Sequence, residues 1–219
     1  MGKNDYYSLT EILNRERILI KNSLNDDVIA TRMAGYGYPA EKIGEGETLL
    51  TDAENLYSQQ KQEYAEYYAA ADNFSAAREN FHEVYIKDLE FARIAFTGQP
   101  SVLRSIEATG SRAPSYADYV EQAKAFYKSF INNETLLNGM TVFGYTLEYF
   151  QEKLDTLNNF ATLLQARERE EGDAQQATKD RDKKFDELSD WCSLYRRVAM
   201  LAFTNDAQYL EKLGIVVKS

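Results

Sequence analysis

Leu50, Ala53, Tyr57, Gln60, Tyr64, Tyr67, Ala71, Phe74, Arg78, Phe81, Tyr85, Asp88, Ala92 and Ala95 recur at alternating spacings of three and four residues. A stripe with that period stays on one face of an α-helix, so the segment reads as a heptad seam with a few polar interruptions. After Pro39 the chain meets no further Pro before Thr97, and no Gly after Gly46. Nothing local therefore breaks the helix.

The seam closes on Ala92-Arg93-Ile94-Ala95-Phe96-Thr97, and a near copy, Ala199-Met200-Leu201-Ala202-Phe203-Thr204, follows 107 residues later. Gly37-Tyr38-Pro39-Ala40-Glu41 and Gly144-Tyr145-Thr146-Leu147-Glu148 are related by the same offset. Laid without a gap, residues 8–106 and 115–213 share 17 identities in 99 positions, where average composition gives roughly six or seven. Leu9, Ile12, Leu13, Leu19 and Ile20 fall on Tyr116, Tyr119, Val120, Phe126 and Tyr127, so both units bury the same face. The expected fold is all-α: an internally duplicated helical bundle of two ~107-residue units, 1–107 and 108–219, whose long amphipathic helices pack antiparallel like a coiled coil.

Within each unit the punctuation is readable. Ser8-Leu9-Thr10-Glu11 fits a capping box, and Ser115 with Asp118 keeps the position. One helix is expected from there to Gly35 and Gly37, where glycine tolerates left-handed dihedrals. Pro39 suits the first turn of the next helix. Thr97 and Thr204 read as N-caps of short closing helices, and residues 108–115 as a linker. The long segment admits two forms. It is one helix of about 88 Å at 1.5 Å per residue, or it is a hairpin turning near Glu171-Gly172-Asp173 and, in the first unit, near Asp72-Asn73. Because an isolated long helix needs partners along its whole length, the antiparallel hairpin is the form expected.

Composition narrows the function. The chain of 219 residues carries a formal net charge of -10, one Cys and one His. That charge argues against non-specific nucleic-acid binding and against docking on anionic lipid. One Cys forms no internal disulfide and no thiolate zinc site. No stretch is long and apolar enough to predict a membrane span, and Met1 to Tyr7 lacks the apolar core of a secretory signal, so the cytoplasm is the expected compartment. Glu79-Asn80-Phe81-His82 places a carboxylate and an imidazole on one helical face. Its counterpart, Asp186 to Ser189, has no histidine, so a symmetric di-metal site cannot be completed. Cys192 lies in an apolar stripe with no second imidazole to activate it. No catalytic residues, metal ligands or cofactor are expected.

The 16 Tyr residues are the least ordinary feature. Tyrosine joins an apolar body to a polar tip and suits helix seams and protein interfaces. The candidate interaction surface comprises Tyr36 and Tyr38 in one Gly-Tyr turn, Phe143 and Tyr145 in the other, and Tyr64, Tyr67 and Tyr68 in the long segment. The function expected is a non-enzymatic scaffold or protein-protein interaction protein, self-associating into a homo-oligomer or held by a protein partner. The alternative is a bundle binding a small molecule or metal in its core, which requires Arg78, Asp88, Arg93 or Glu171 to face inward.

Overall fold

The structure, a computed structural model, describes residues 7–216. The readings that fall on residues 1–6 and 217–219 lie outside it. Every described element is an α-helix, and no strand occurs among the described residues. In chain order these are α1 (Leu9–Asn25), α2 (Asp27–Gly35), α3 (Ala40–Ala95), α4 (Pro100–Ser105), α5 (Tyr116–Ile131), α6 (Glu134–Thr141), α7 (Leu147–Ala202) and α8 (Ala207–Lys212).

The expected hairpins are not formed: α3 and α7 are each a single unbroken helix of 56 residues. Gly172 stays helical, with open space where its Cβ would be. A solvated glycine costs about 1 kcal/mol in a helix, too little to turn a segment whose seam keeps its phase on both sides. The need for partners along the whole length is met because different elements cover different stretches of the same helix.

Compactness divides the chain into Met1–Ala65 with Gly172–Ser219, and Glu66–Glu171. Each unit thus draws on both sequence halves, and each long helix supplies a segment to both. In the first unit, α1, α2, α8 and the ends of α3 and α7 enclose a core that includes Leu19, Ile20, Ile29, Leu50, Leu188 and Tyr195. The two long segments run antiparallel here: Gln60 reaches Thr178, and Asp52 pairs with Lys184. At Gly46 a Cβ would stand 2.5 Å from the Trp191 ring, so only glycine admits this approach. In the second unit, α4, α5, α6 and the remaining segments of α3 and α7 enclose Phe81, Tyr85, Phe126, Phe130, Phe150 and Phe160. Phe81 meets Phe160 and Asp88 meets Tyr149, again antiparallel.

Local chemistry sets the boundaries. Both bonds of the capping box form, Glu11 N–H to Ser8 Oγ at 3.2 Å and Ser8 N–H to the Glu11 carboxylate at 2.7 Å. The single helix expected from Ser8 to Gly35 is broken at Asp26. Its carboxylate accepts from the amides of Val28 and Ile29 and so starts α2. Asn133 does the same for α6. Gly37 and Gly144 take φ of 84° and 83°, which turns the chain into the long helices.

Thr97 and Thr204 are not N-caps. Their hydroxyls donate back to the carbonyls of Arg93 and Ile94, and of Met200 and Leu201, closing the long helices instead. The stretch 108–115 is more than a linker. Ala108 is buried, Arg93 Nε donates to its carbonyl at 2.8 Å, and Arg112 donates to the carbonyls of Glu107, Thr109 and Gly110.

Candidate functional site

The two Gly-Tyr turns split the residues assigned to them. Tyr38 and Tyr145 are core residues, not surface ones. Tyr38 lies edge-on to Trp191 and Tyr195, at 5.9 and 4.9 Å between ring centres. Tyr145 lies edge-on to Tyr149. Tyr36 and Phe143, two residues earlier, are 53% and 37% exposed, and Phe143 rests against Phe91 at 5.3 Å. Around the turn the chain alternates an outward and an inward ring, which composition alone does not reveal. Val142, Ile94 and Leu201 are likewise 84%, 58% and 70% exposed. In the long helix Tyr64 is half-buried, with its hydroxyl 3.5 Å from Thr178 Oγ1. Tyr67 is half-buried and Tyr68 exposed, their rings 5.4 Å apart.

Of the four polar residues that could face inward, Asp88 is the one that is buried. Three hydroxyls converge on it: Tyr127 at 2.8 Å on Oδ2, Tyr145 at 2.8 Å on Oδ1, and Tyr149 at 2.9 Å from both oxygens. Burial raises the Asp88 pKa above the ordinary carboxylate range, opposed by the three hydroxyls and by the charge of Lys153. Burial likewise raises the pKa of all three tyrosines, so their protons stay in place as donors. Three donated protons, that of Tyr149 shared between the two oxygens, take up most of the carboxylate's acceptor capacity. Chemically this is a closed lock joining α3, α5 and the start of α7, and not an open ligand site.

The first unit buries a different charge. Glu16 is fully buried, and its carboxylate pairs with Arg15 at 2.9 Å and with Arg196. Cys192 lies against it, and burial followed by the Glu16 charge raises its thiol pKa well above the usual range. A thiol held protonated is a poor nucleophile. Sequence reasoning missed Glu16, although its spacing from Ile12, Leu13, Leu19 and Ile20 places it on the apolar face of α1. No family model, curated protein or solved structure matches the chain.

The lone histidine lines a groove of about 510 Å³ in the second unit, together with Arg78, Glu79, Glu83, Arg112, Tyr116 and Tyr119. His82 Nδ1 is 3.0 Å from the Tyr119 hydroxyl. Burial lifts that hydroxyl to about 12. The Arg112 guanidinium also donates to Tyr85 Oη at 2.8 Å, so it frames the groove and ties its floor to the core.

Proposed function

We propose that the chain is a non-enzymatic helical scaffold that self-associates, built from two copies of one helical unit. Support for the duplication comes from element lengths taken in order. They are 17, 9, 56 and 6 residues for α1 to α4, and 16, 8, 56 and 6 for α5 to α8.

The observation that carries the interaction reading is the exposure of Tyr36 and Phe143 at matched positions 107 residues apart, each beside a buried tyrosine. Tyr36 and Leu201 in the first unit, and Phe143, Val142 and Ile94 in the second, are exposed apolar side chains of the kind that interfaces use. The proposed occupant is a second copy. A chain of net charge -10 repels itself, so apolar association should strengthen as salt screens that repulsion. A cytoplasmic setting belongs to the proposal and accords with the single buried, unpaired Cys192. No helix among the described residues is long and apolar enough to cross a membrane.

Sedimentation or light scattering at rising concentration and salt tests the reading. The expected result is a species of at least twice the chain mass, returned to monomer by Phe143→Ser with Leu201→Ser. A strict monomer at every concentration and salt would refute it. The alternative, a ligand held in the core, has less support. Asp88 is engaged by three hydroxyls, Arg78 and Arg93 are exposed, and Glu171 is half-buried and pairs with Arg167 at 3.8 Å.

A further inference from the structure

The groove beside His82 has a charge pattern that self-association does not use. Four of its side chains sit on α3 at positions 78, 79, 82 and 83. Residues four apart on a helix stack on one face. Arg78 and His82 therefore make one row, and Glu79 and Glu83 a parallel row beside it.

The basic row borders α5. His82 bonds Tyr119, and the charge of Arg78 acts on both Tyr116 and Tyr119. Among the described residues, the side chains of Arg78, Glu79 and Glu83 make no hydrogen bond or ion pair. Arg112 is different, since three carbonyls and the Tyr85 hydroxyl take up its donors. The groove thus presents one uncommitted cation beside two uncommitted carboxylates. It is walled by two tyrosine rings with Ala113 and Pro114.

We infer that this groove binds a small zwitterion with an aromatic or apolar body, of the amino-acid class. Arg78 takes the ligand carboxylate, Glu79 and Glu83 take its ammonium, and Tyr116 and Tyr119 pack against the body. A purely anionic ligand would face two carboxylates, and a purely cationic one would face Arg78. Only a ligand carrying both charges satisfies both rows. The side chains are solvated, so each ionic contact is weak and selectivity comes from requiring both. This inference is independent of the self-association reading.

The chain has a single histidine, so the Cε1–Hε1 and Cδ2–Hδ2 signals of the imidazole belong to His82 without ambiguity and serve for NMR titration at fixed pH. The probes are L-phenylalanine, phenylalaninamide (no carboxylate) and N-acetylphenylalanine (no ammonium). The expected result is a saturable shift with phenylalanine, half complete below about 5 mM, with each blocked probe about tenfold weaker. Arg78→Gln should weaken phenylalanine and the N-acetyl probe while leaving the amide unchanged. Glu79→Gln with Glu83→Gln should weaken phenylalanine and the amide while leaving the N-acetyl probe unchanged. All these positions are solvent-exposed, and far-UV circular dichroism checks that the variants keep their helices. The inference is overturned by no saturable shift up to about 20 mM phenylalanine, by equal binding of the three probes, or by variants that leave every titration unchanged.

Discussion

The two units bury their charge at positions that the 107-residue offset does not relate. In Glu66–Glu171 the buried carboxylate is Asp88, with Tyr127, Tyr145 and Tyr149 around it. The residues 107 positions away in the other unit are Tyr195, Ile20, Tyr38 and Lys42. There Trp191 stacks on Tyr195 at 5.2 Å, Tyr38 packs edge-on to both rings, and Lys42 lies over the Tyr38 ring at 4.4 Å. The Tyr195 hydroxyl faces Ser23 but forms no hydrogen bond, and the Ser23 hydroxyl donates instead to the Leu19 carbonyl. Glu16, the buried carboxylate of this unit, has Ala123 as its counterpart, and its partner Arg196 has Leu89. A helical frame therefore fixes where apolar bulk must go and leaves the layer of the charge open. Wherever the charge sits, its partners must sit there too, because a buried carboxylate among aliphatic groups is not tolerated.

Removing the acceptor from the tyrosine cluster should break this pattern most severely. Asp88→Ala leaves two buried hydroxyls and one half-buried one without their partner and opens a gap, so urea unfolding should show a loss of about 3–5 kcal/mol.

Glu16→Ala should cost somewhat less, about 2–4 kcal/mol. Arg15 and Arg196 keep 34% and 20% of their side-chain surface in water and can resolvate.

The pH dependence should separate the centres further. With the Asp88 pKa raised in the fold, the folded state holds a proton that the unfolded chain releases near pH 3.9. The stability that Asp88 contributes in its neutral form is thus complete below that pH and is lost as pH rises through the folded value. The difference between wild type and Asp88→Asn in urea midpoint should move in that direction across mildly acidic pH.

The smallest effect is the sharpest contrast. Tyr127→Phe deletes a made hydrogen bond and should cost about 1 kcal/mol, whereas Tyr195→Phe deletes an unmade one and should be neutral or stabilising by up to about 1 kcal/mol.

Much of the frame was legible because it follows from period and spacing. Leu50, Ala53, Phe74, Phe81, Tyr85, Asp88 and Ala92 of the seam are all buried. Apart from the hairpins, which α3 and α7 do not form because each runs unbroken for 56 residues, most errors lie where a single side chain chooses between two local bonds. Asp26 was an available cap inside a sequence that reads equally well as continuous helix. Thr97 could cap forward or bond back, and its hydroxyl bonds back. Tyr36 and Tyr38 share a composition and a turn, and packing alone decides which ring turns inward. The groove at His82 was half visible, since the Glu79 to His82 spacing places both on α3. Tyr119 and Arg112 reach it only through the fold.

The account rests on units that cut across the sequence halves, and cutting the chain tests this directly. Residues 66–171, a contiguous segment, contain Asp88 with all three tyrosines and the whole second core. Expressed alone, this fragment should unfold cooperatively in urea. Residues 1–107 should not, because Leu188, Tyr195 and Phe203 of their core lie beyond the cut. A cooperative 1–107 beside an unstructured 66–171 would contradict the account.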